Sequence, residues 1–572
     1  MLLIRIQQAT LVSVFLIASV AAVAAGTDAG TLDQTFKRQI EIENAEPPPE
    51  SLIKKKAVEE VAPSQNEVLI DVKGFNVTGM TFITQKEAQQ ALSVFIKRSL
   101  TLKQINEAAK AIVELYKKKG RIAQAVIPPQ QIKDGIVEIK VVEGRVGSII
   151  IEPAFEQDPP RLSKSVTKNF ISYHNAEGQL INLDGLERSI SLINEIPGIN
   201  TEVSLESGEK DGTTNILMKV DELSRVRASA DLTNYGSAST GYAQGVANLS
   251  LNDLYGIGDS GSINVLKSEG SLFAQARYFV PAGANGLRVG FGGSAMTYDT
   301  LMRFTPTPSN GKSNTIGFYA TYALERSARS NKTLNLNIET RDYVNYTESV
   351  EISKYSINSA TLGLQGNQFL GNAVWGWSMT GVYGQLNINN QSQLESDEAY
   401  VKTDGNYGKL SFYSVLTKPL PIQKTNLMLS VNGQVATKNL NSSEQIYLGG
   451  PYGVRAYPIS QGGGSQGVIV SAEINHTFDN NLEMGLFADA AVIEQFRHTY
   501  DGWRGLTNAG NGYAVYAAGL NTKYRYKKKA EISGALAFPL NDNPLHNSRG
   551  EELNVDNQNR NVQFWLKGSY FF

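Results

Sequence analysis

At 572 residues the chain has room for three or four domains, or for one large β structure with smaller companions. Lysine plus arginine (53) nearly balance aspartate plus glutamate (55), and the net charge of −2 excludes the basic field of a nucleic-acid binder. Cysteine is absent, which excludes a disulfide scaffold, thiolate metal sites and a thiol nucleophile. His174, His476, His498 and His546 are too scattered for a metal cluster, so no metal or cofactor is expected. Glycine and aromatics are abundant while charge is sparse, a composition suited to a bacterial envelope β protein.

Residues 1–25 read as a signal peptide: a short basic start, an apolar run, and Ala22-Val23-Ala24 as the cleavage pattern. No later segment reaches the roughly 20 continuous apolar residues of a membrane helix, so any later crossing must use a closed barrel. Residues 26–65 are polar. Leu32, Phe36 and Ile40 form a single i, i+4, i+8 row, which on sequence alone fits a weakly amphipathic helix and a disordered leader about equally; Pro47-Pro48-Pro49 would end the helix, and a charged linker follows.

Two similar modules follow, at 66–145 and 146–224. In the first, a strand at Val68–Val72 precedes helices near 84–97 and 101–119, and strands at Ala123–Ile127 and Ile136–Val142 flank an Asp134-Gly135 turn. In the second, Val146 opens a strand, helices lie near 161–173 and 183–195, and strands near 200–206 and 214–221 close the unit. This β-α-α-β-β order, with Tyr116 four residues before Gly120, Asp134-Gly135 and Glu143-Gly144, resembles the polypeptide-transport-associated (POTRA) domain. Asn194-Glu195-Ile196-Pro197-Gly198 and the Leu205/Gly208 pair resemble the second such domain of two-partner secretion transporters.

Residues 225–572 divide into about sixteen segments with the two-residue alternation of a barrel wall. Ala243, Gly245, Ala247, Leu249 and Leu251 make one outward row; Ile316, Phe318, Ala320, Tyr322 and Leu324 another; Leu334, Leu336 and Ile338, and Leu427, Leu429 and Val431, two more. Asn285-Gly286 is expected as a two-residue type I′ hairpin turn. The last segment, 562–572, ends on an aromatic, with Phe564, Leu566, Tyr570 and Phe572 sharing one parity. Gly256-Ile257-Gly258-Asp259-Ser260-Gly261 matches a dinucleotide-binding pattern, but no helix follows it. Gly463-Gly464-Ser465-Gln466-Gly467 matches a hydrolase pattern, but it lies in a loop before a strand. Both are read as loop glycines, and no enzyme is expected.

The most specific feature is a long connection, about 441–467, between the eleventh and twelfth strands. It carries Leu448-Gly449-Gly450-Pro451-Tyr452-Gly453-Val454-Arg455-Ala456-Tyr457. Further on, Leu482, Met484, Leu486, Ala488, Ala490 and Val492 form an apolar row. Parity therefore turns Glu483, Phe487 and Asp489 toward the lumen. An inward carboxylate needs a cation or water, and a loop folded into the lumen could supply Arg455 as a bidentate partner, with Tyr457 nearby.

This pair of motifs resembles the two-partner secretion transporters, the haemolysin secretion/activation family of POTRA-bearing outer-membrane barrels. The resemblance implies a mainly β fold, a sixteen-stranded antiparallel transmembrane barrel preceded by two periplasmic α/β POTRA domains and an N-terminal plug helix. It implies an outer-membrane transporter that takes an unfolded partner exoprotein (adhesin, haemolysin or toxin) from the periplasm and threads it to the surface. Val454, Arg455, Ala456, Tyr457, Phe487 and Asp489 would anchor the lumen loop, and Leu32, Phe36 and Ile40 would mark the plug. Phe564, Tyr570 and Phe572 would be the signal read by the barrel-assembly machinery. Outer-membrane lipids are the other partner, nucleic acid is not one, and a monomer is expected. The alternative within the same superfamily is an assembly factor for other barrels. The family usually has glycine where Ala456 and Ala491 stand; alanine disfavours a positive φ, so a differently shaped loop tip is expected.

Overall fold

The computed structural model describes residues 27–43, 69–153, 161–505, 507–527 and 529–572; the signal-peptide and proline-linker readings lie outside them. The helix expected before the linker is Ala29–Glu43.

In the first module, Thr84 and Thr101 each cap a helix and form reciprocal capping boxes with Glu87 and Gln104. The helices Gln85–Leu92 and Leu102–Lys118 bury Ala88, Leu92, Ile105, Ala108, Ile112 and Tyr116 against the sheet. That sheet centres on Ile136–Glu143, parallel to Gly74–Thr78 and antiparallel to Ala123–Val126. A short ribbon pairing Ile70–Val72 with Arg98–Leu100 was not legible as such in the sequence. The second module repeats the plan: Thr213–Glu222 lies between Arg145–Pro153 and Ile199–Ser207, covered by helices Lys164–Ser172 and Leu183–Asn194.

Sixteen antiparallel strands, from Val226–Thr233 to Gln563–Phe571, close into a barrel. The last strand closes on the first, from Lys567 opposite Thr233 to Phe571 opposite Ser229. Alternation produces the wall. Ile316, Phe318, Leu324, Met484, Leu486 and Val492 are exposed on the outside, while Gln244, Asn264, Gln275, Ser294 and Thr315 are buried within. Connections at the end carrying the modules are mostly short, and those at the other end are mostly longer.

The second module rests on the barrel rim. Arg188 of helix Leu183–Asn194 donates to the carbonyls of Asn285 (3.1 Å) and Ala323, and Glu195 pairs with Arg326. This docking corrects the turn expected at Asn285-Gly286. The connection is Ala282–Gly286, closed by Ala282 N–H donating to the Leu287 carbonyl at 2.7 Å. Gly283 and Gly286 have positive φ and Asn285 does not, so a type I′ turn is excluded. Asn285 is spent on Arg188 and on the Tyr322 hydroxyl. A Cβ at Gly286 would lie 2.8 Å from Leu192, so only glycine lets the module sit this close. Of the two enzyme-like glycine runs, Gly256 and Gly258 form a rim turn against the second module, and Ser465 is a buried structural hydroxyl donating to the Gln495 carbonyl.

Candidate functional site

Among the described residues, two segments pack inside the barrel, the helix Ala29–Glu43 and the connection between the eleventh strand (Thr425–Ala436) and the twelfth (Gln466–Thr477). The connection folds inward, and Ile446–Tyr447 pairs with Gly463–Gly464 to form its stem. Beyond the stem, Val454 N–H donates to the Leu448 carbonyl (2.7 Å) and Tyr457 N–H to the Val454 carbonyl (3.1 Å), so the tip is a compact folded unit.

Strand register builds the receptor for that tip. Ser471 is opposite Asp489 and Glu473 is opposite Phe487, so four inward side chains of the twelfth and thirteenth strands form one block. Arg455 sits over it. Its Nε and Nη2 reach the two Asp489 oxygens at 2.9 and 2.7 Å, and its backbone N–H reaches Asp489 at 3.1 Å. Nη1 lies 2.7 Å from Glu473, and Nη2 also donates to Ser471 Oγ at 3.0 Å. The guanidinium carbon is 3.5 Å from the Phe487 ring centroid. Gly519, opposite Phe487, is what lets that ring lie flat, since a Cβ there would run into it. Asp489 is 2% exposed and Arg455 8%, so the pair is removed from bulk water.

The rest of the motif packs around this pair. Val454, Ala456 and Tyr457 are buried with Ile469, Phe487, Ala491, Ile493, Val515, Ala517 and Ala537. The Tyr457 hydroxyl donates to the Asn541 carbonyl at 2.9 Å. Ala456 has no positive φ, so this tip needs no glycine there; the left-handed positions of the connection are Gly450, Ser460 and Gly462. Three partners of Arg455 were missed in the sequence: Glu473, Ser471, and Trp565, whose indole N–H donates to the Arg455 carbonyl at 2.7 Å. Inward parity was readable for each, but not which inward residues meet.

Leu32, Phe36 and Ile40 face the inner wall and pack with Leu266, Phe273, Met296, Tyr343, Ile357 and Leu386. Phe36 meets Phe273 edge-on, with centroids 6.0 Å apart. The polar flanks of the helix are also held: Ala29 N–H donates to Asn345 (2.9 Å), Lys37 to Thr315 (2.7 Å), and Arg38 to the Tyr452 carbonyl (3.3 Å). Helix and connection therefore touch. On the final strand Phe564, Tyr570 and Phe572 lie on the outer surface, away from Arg455 and from the helix, and Phe572 N–H donates to the Ala228 carbonyl at 3.0 Å.

Residues 212–515 match the family model described as haemolysin secretion/activation protein ShlB/FhaC/HecB, and residues 70–144 match the POTRA domain, ShlB-type. The heme/hemopexin transporter protein HuxB of Haemophilus influenzae strain 86-028NP is 24% identical over 85% of this chain and 84% of its own. The outer membrane transporter CdiB of Dickeya dadantii is 22% identical over 69% of this chain and 70% of its own. Among solved structures, CdiB from Escherichia coli superposes with a TM-score of 0.69 at 19% identity, covering 95% of this chain and 96% of that one. BamA from Haemophilus ducreyi superposes at 0.52 and 14% identity, covering 88% and 100%; both are likenesses of fold.

Proposed function

The chain belongs to the haemolysin secretion/activation family, and from that premise we propose how its lumen works. It is an outer-membrane transporter of two-partner secretion, with its modules in the periplasm and its barrel in the membrane. The proposed cargo is a large exoprotein delivered unfolded, with its extended segments held at the modules by main-chain hydrogen bonds that tolerate varied sequence. It then threads through the barrel and folds outside, which gives the passage its direction.

One observation carries this reading: the two lumen segments are held in different ways. Arg455 is locked to two wall carboxylates by charge-assisted hydrogen bonds. The helix is held by three apolar side chains and scattered polar contacts. The helix is the removable plug, and the loop tip is the part that stays. Full burial of three such side chains is worth roughly 5–9 kcal/mol. That keeps the helix seated at rest and makes its exit depend on compensating contacts from arriving cargo. Phe564, Tyr570 and Phe572 serve at an earlier step, as the aromatic row by which the assembly machinery recognises the barrel. The family match and the transporters among its relatives favour secretion over the alternative, assembly of other barrels.

The test is deletion of residues 28–43. Single-channel conductance in planar bilayers should rise while the barrel still inserts; unchanged conductance would refute the plug assignment.

A further inference from the structure

The inward connection has a second charged anchor, at its root. Residues Ser442–Glu444 make one tight turn, in which the Asn441 side chain accepts the Ser443 N–H at 3.1 Å. This turn presses Glu444 into the wall, 3% exposed. One carboxylate oxygen lies 2.7 Å from Arg341 Nη1 on the seventh strand (Ser330–Thr347), and the other 2.8 Å from Lys409 Nζ on the tenth (Gly405–Pro419). The Glu444 carbonyl also accepts from Lys409 Nζ at 3.0 Å and from Gln434 Nε2 at 2.9 Å. These strands are not the ones that hold Arg455.

The opposite side of the same turn is the seat of the helix. The Thr31 and Tyr447 hydroxyls are 2.8 Å apart, and Tyr447 also donates to the Ser442 carbonyl at 2.9 Å. Gln34 Nε2 donates to the Gln445 carbonyl at 2.7 Å. The two segments are so close that a Cβ on Gly30 would lie 2.7 Å from the Ser443 Cβ. The turn is thus a spacer, bolted to the wall on one side and bonded to the helix on the other.

We propose that Glu444, clamped by Arg341 and Lys409, is the positioning residue that seats the lumen helix, and that it does so separately from the Arg455 anchor. This rests on the helix being a plug. Two mostly buried cations converge on one carboxylate, so neutralising Glu444 leaves Lys409 without its carboxylate partner and Arg341 with only the longer contact to Glu339 at 3.8 Å, the two cations repelling each other across an amide. The turn must move, and the helix loses its seat. The Arg455 block, on other strands, is untouched.

The experiment compares full-length wild type, Glu444→Gln, Lys409→Gln, Arg455→Ala and the 28–43 deletion, reading insertion by heat-modifiable migration, bilayer conductance and cargo in the medium. Glu444→Gln should insert, raise conductance to that of the deletion, and secrete cargo close to the wild-type level. Arg455→Ala should lose secretion. Lys409→Gln keeps a one-to-one pair with Arg341 and should give intermediate conductance; it carries the test if Glu444→Gln does not insert, and wild-type conductance from it would then overturn the proposal. If the deletion raises conductance and inserted Glu444→Gln does not, the clamp is refuted while the plug stands. If the deletion has no effect, the plug reading fails and the clamp with it. Secretion lost equally in Glu444→Gln and Arg455→Ala would refute the separation of the two anchors.

Discussion

Replacing Arg455 by alanine should do more damage than replacing Asp489, although the two are partners. Arg455→Ala removes two side-chain hydrogen bonds to Asp489, from Nε and Nη2, the Nη2 bond to Ser471 and the Nη1 pair with Glu473. It strands Asp489, whose side chain is 0% exposed, and Glu473 at 11%. Leaving buried charge unpaired costs about 3–5 kcal/mol. Asp489→Ala leaves Arg455 with Glu473 and Ser471, so its cost is the loss of charged hydrogen bonds, about 1.5–3 kcal/mol. At 1.4 kcal/mol per factor of ten, Arg455→Ala should speed amide exchange across Leu448–Tyr457 by roughly 150- to 4,000-fold, and Asp489→Ala by roughly 10- to 150-fold. The double variant removes one of the two stranded carboxylates, so it should exchange no faster than Arg455→Ala, and its secretion should be no worse. Exchange rates or secretion losses that simply multiply would show independent action and refute a common anchor.

Two predictions concern other parts of the chain. In the first module, burial opposes ionisation of Glu143, but hydrogen bonds from Thr81, Tyr116 and the Phe82 N–H outweigh it and hold the carboxyl below its usual value. Its stabilisation is therefore complete above the unfolded value, near pH 4, and is lost as pH falls through the lower folded value; Glu143→Gln should cost about 2–3 kcal/mol at neutral pH and flatten that acid dependence, read by exchange at Thr81 and Phe82. Removing Phe572 should sharply lower the amount of heat-modifiable, inserted barrel without altering synthesis of the chain; undiminished insertion would remove it from the assembly signal.

The barrel was legible because its physics is local. An outward row such as Leu482 to Val492 needs no knowledge of neighbours, and it fixes Asp489 as inward by parity alone. The loop was legible through its motif, and Arg455 is the cation that Asp489 requires. What parity cannot supply is register between strands, and register is what places Glu473 and Ser471 beside Asp489. Arg341, Lys409 and Glu444 come from three separate segments and meet only when the wall curves round the folded connection. The turn at Asn285-Gly286 was misread for a related reason: its shape is set by Arg188 and Leu192 of another domain, not by its own dipeptide.

Passage of cargo through the lumen is tested most directly by crosslinking. The chain has no cysteine, so single introduced thiols report unambiguously. On the eighth strand, Val350–Leu370, Leu362 is 56% exposed on the outer face and Thr361 has the opposite parity. With a partner exoprotein stalled in transit by a tightly folded insert, Thr361→Cys carrying a short photoactivatable crosslinker should capture the cargo and Leu362→Cys should not. Capture at Leu362→Cys alone, or at neither position while cargo still reaches the surface, would contradict transport through the barrel.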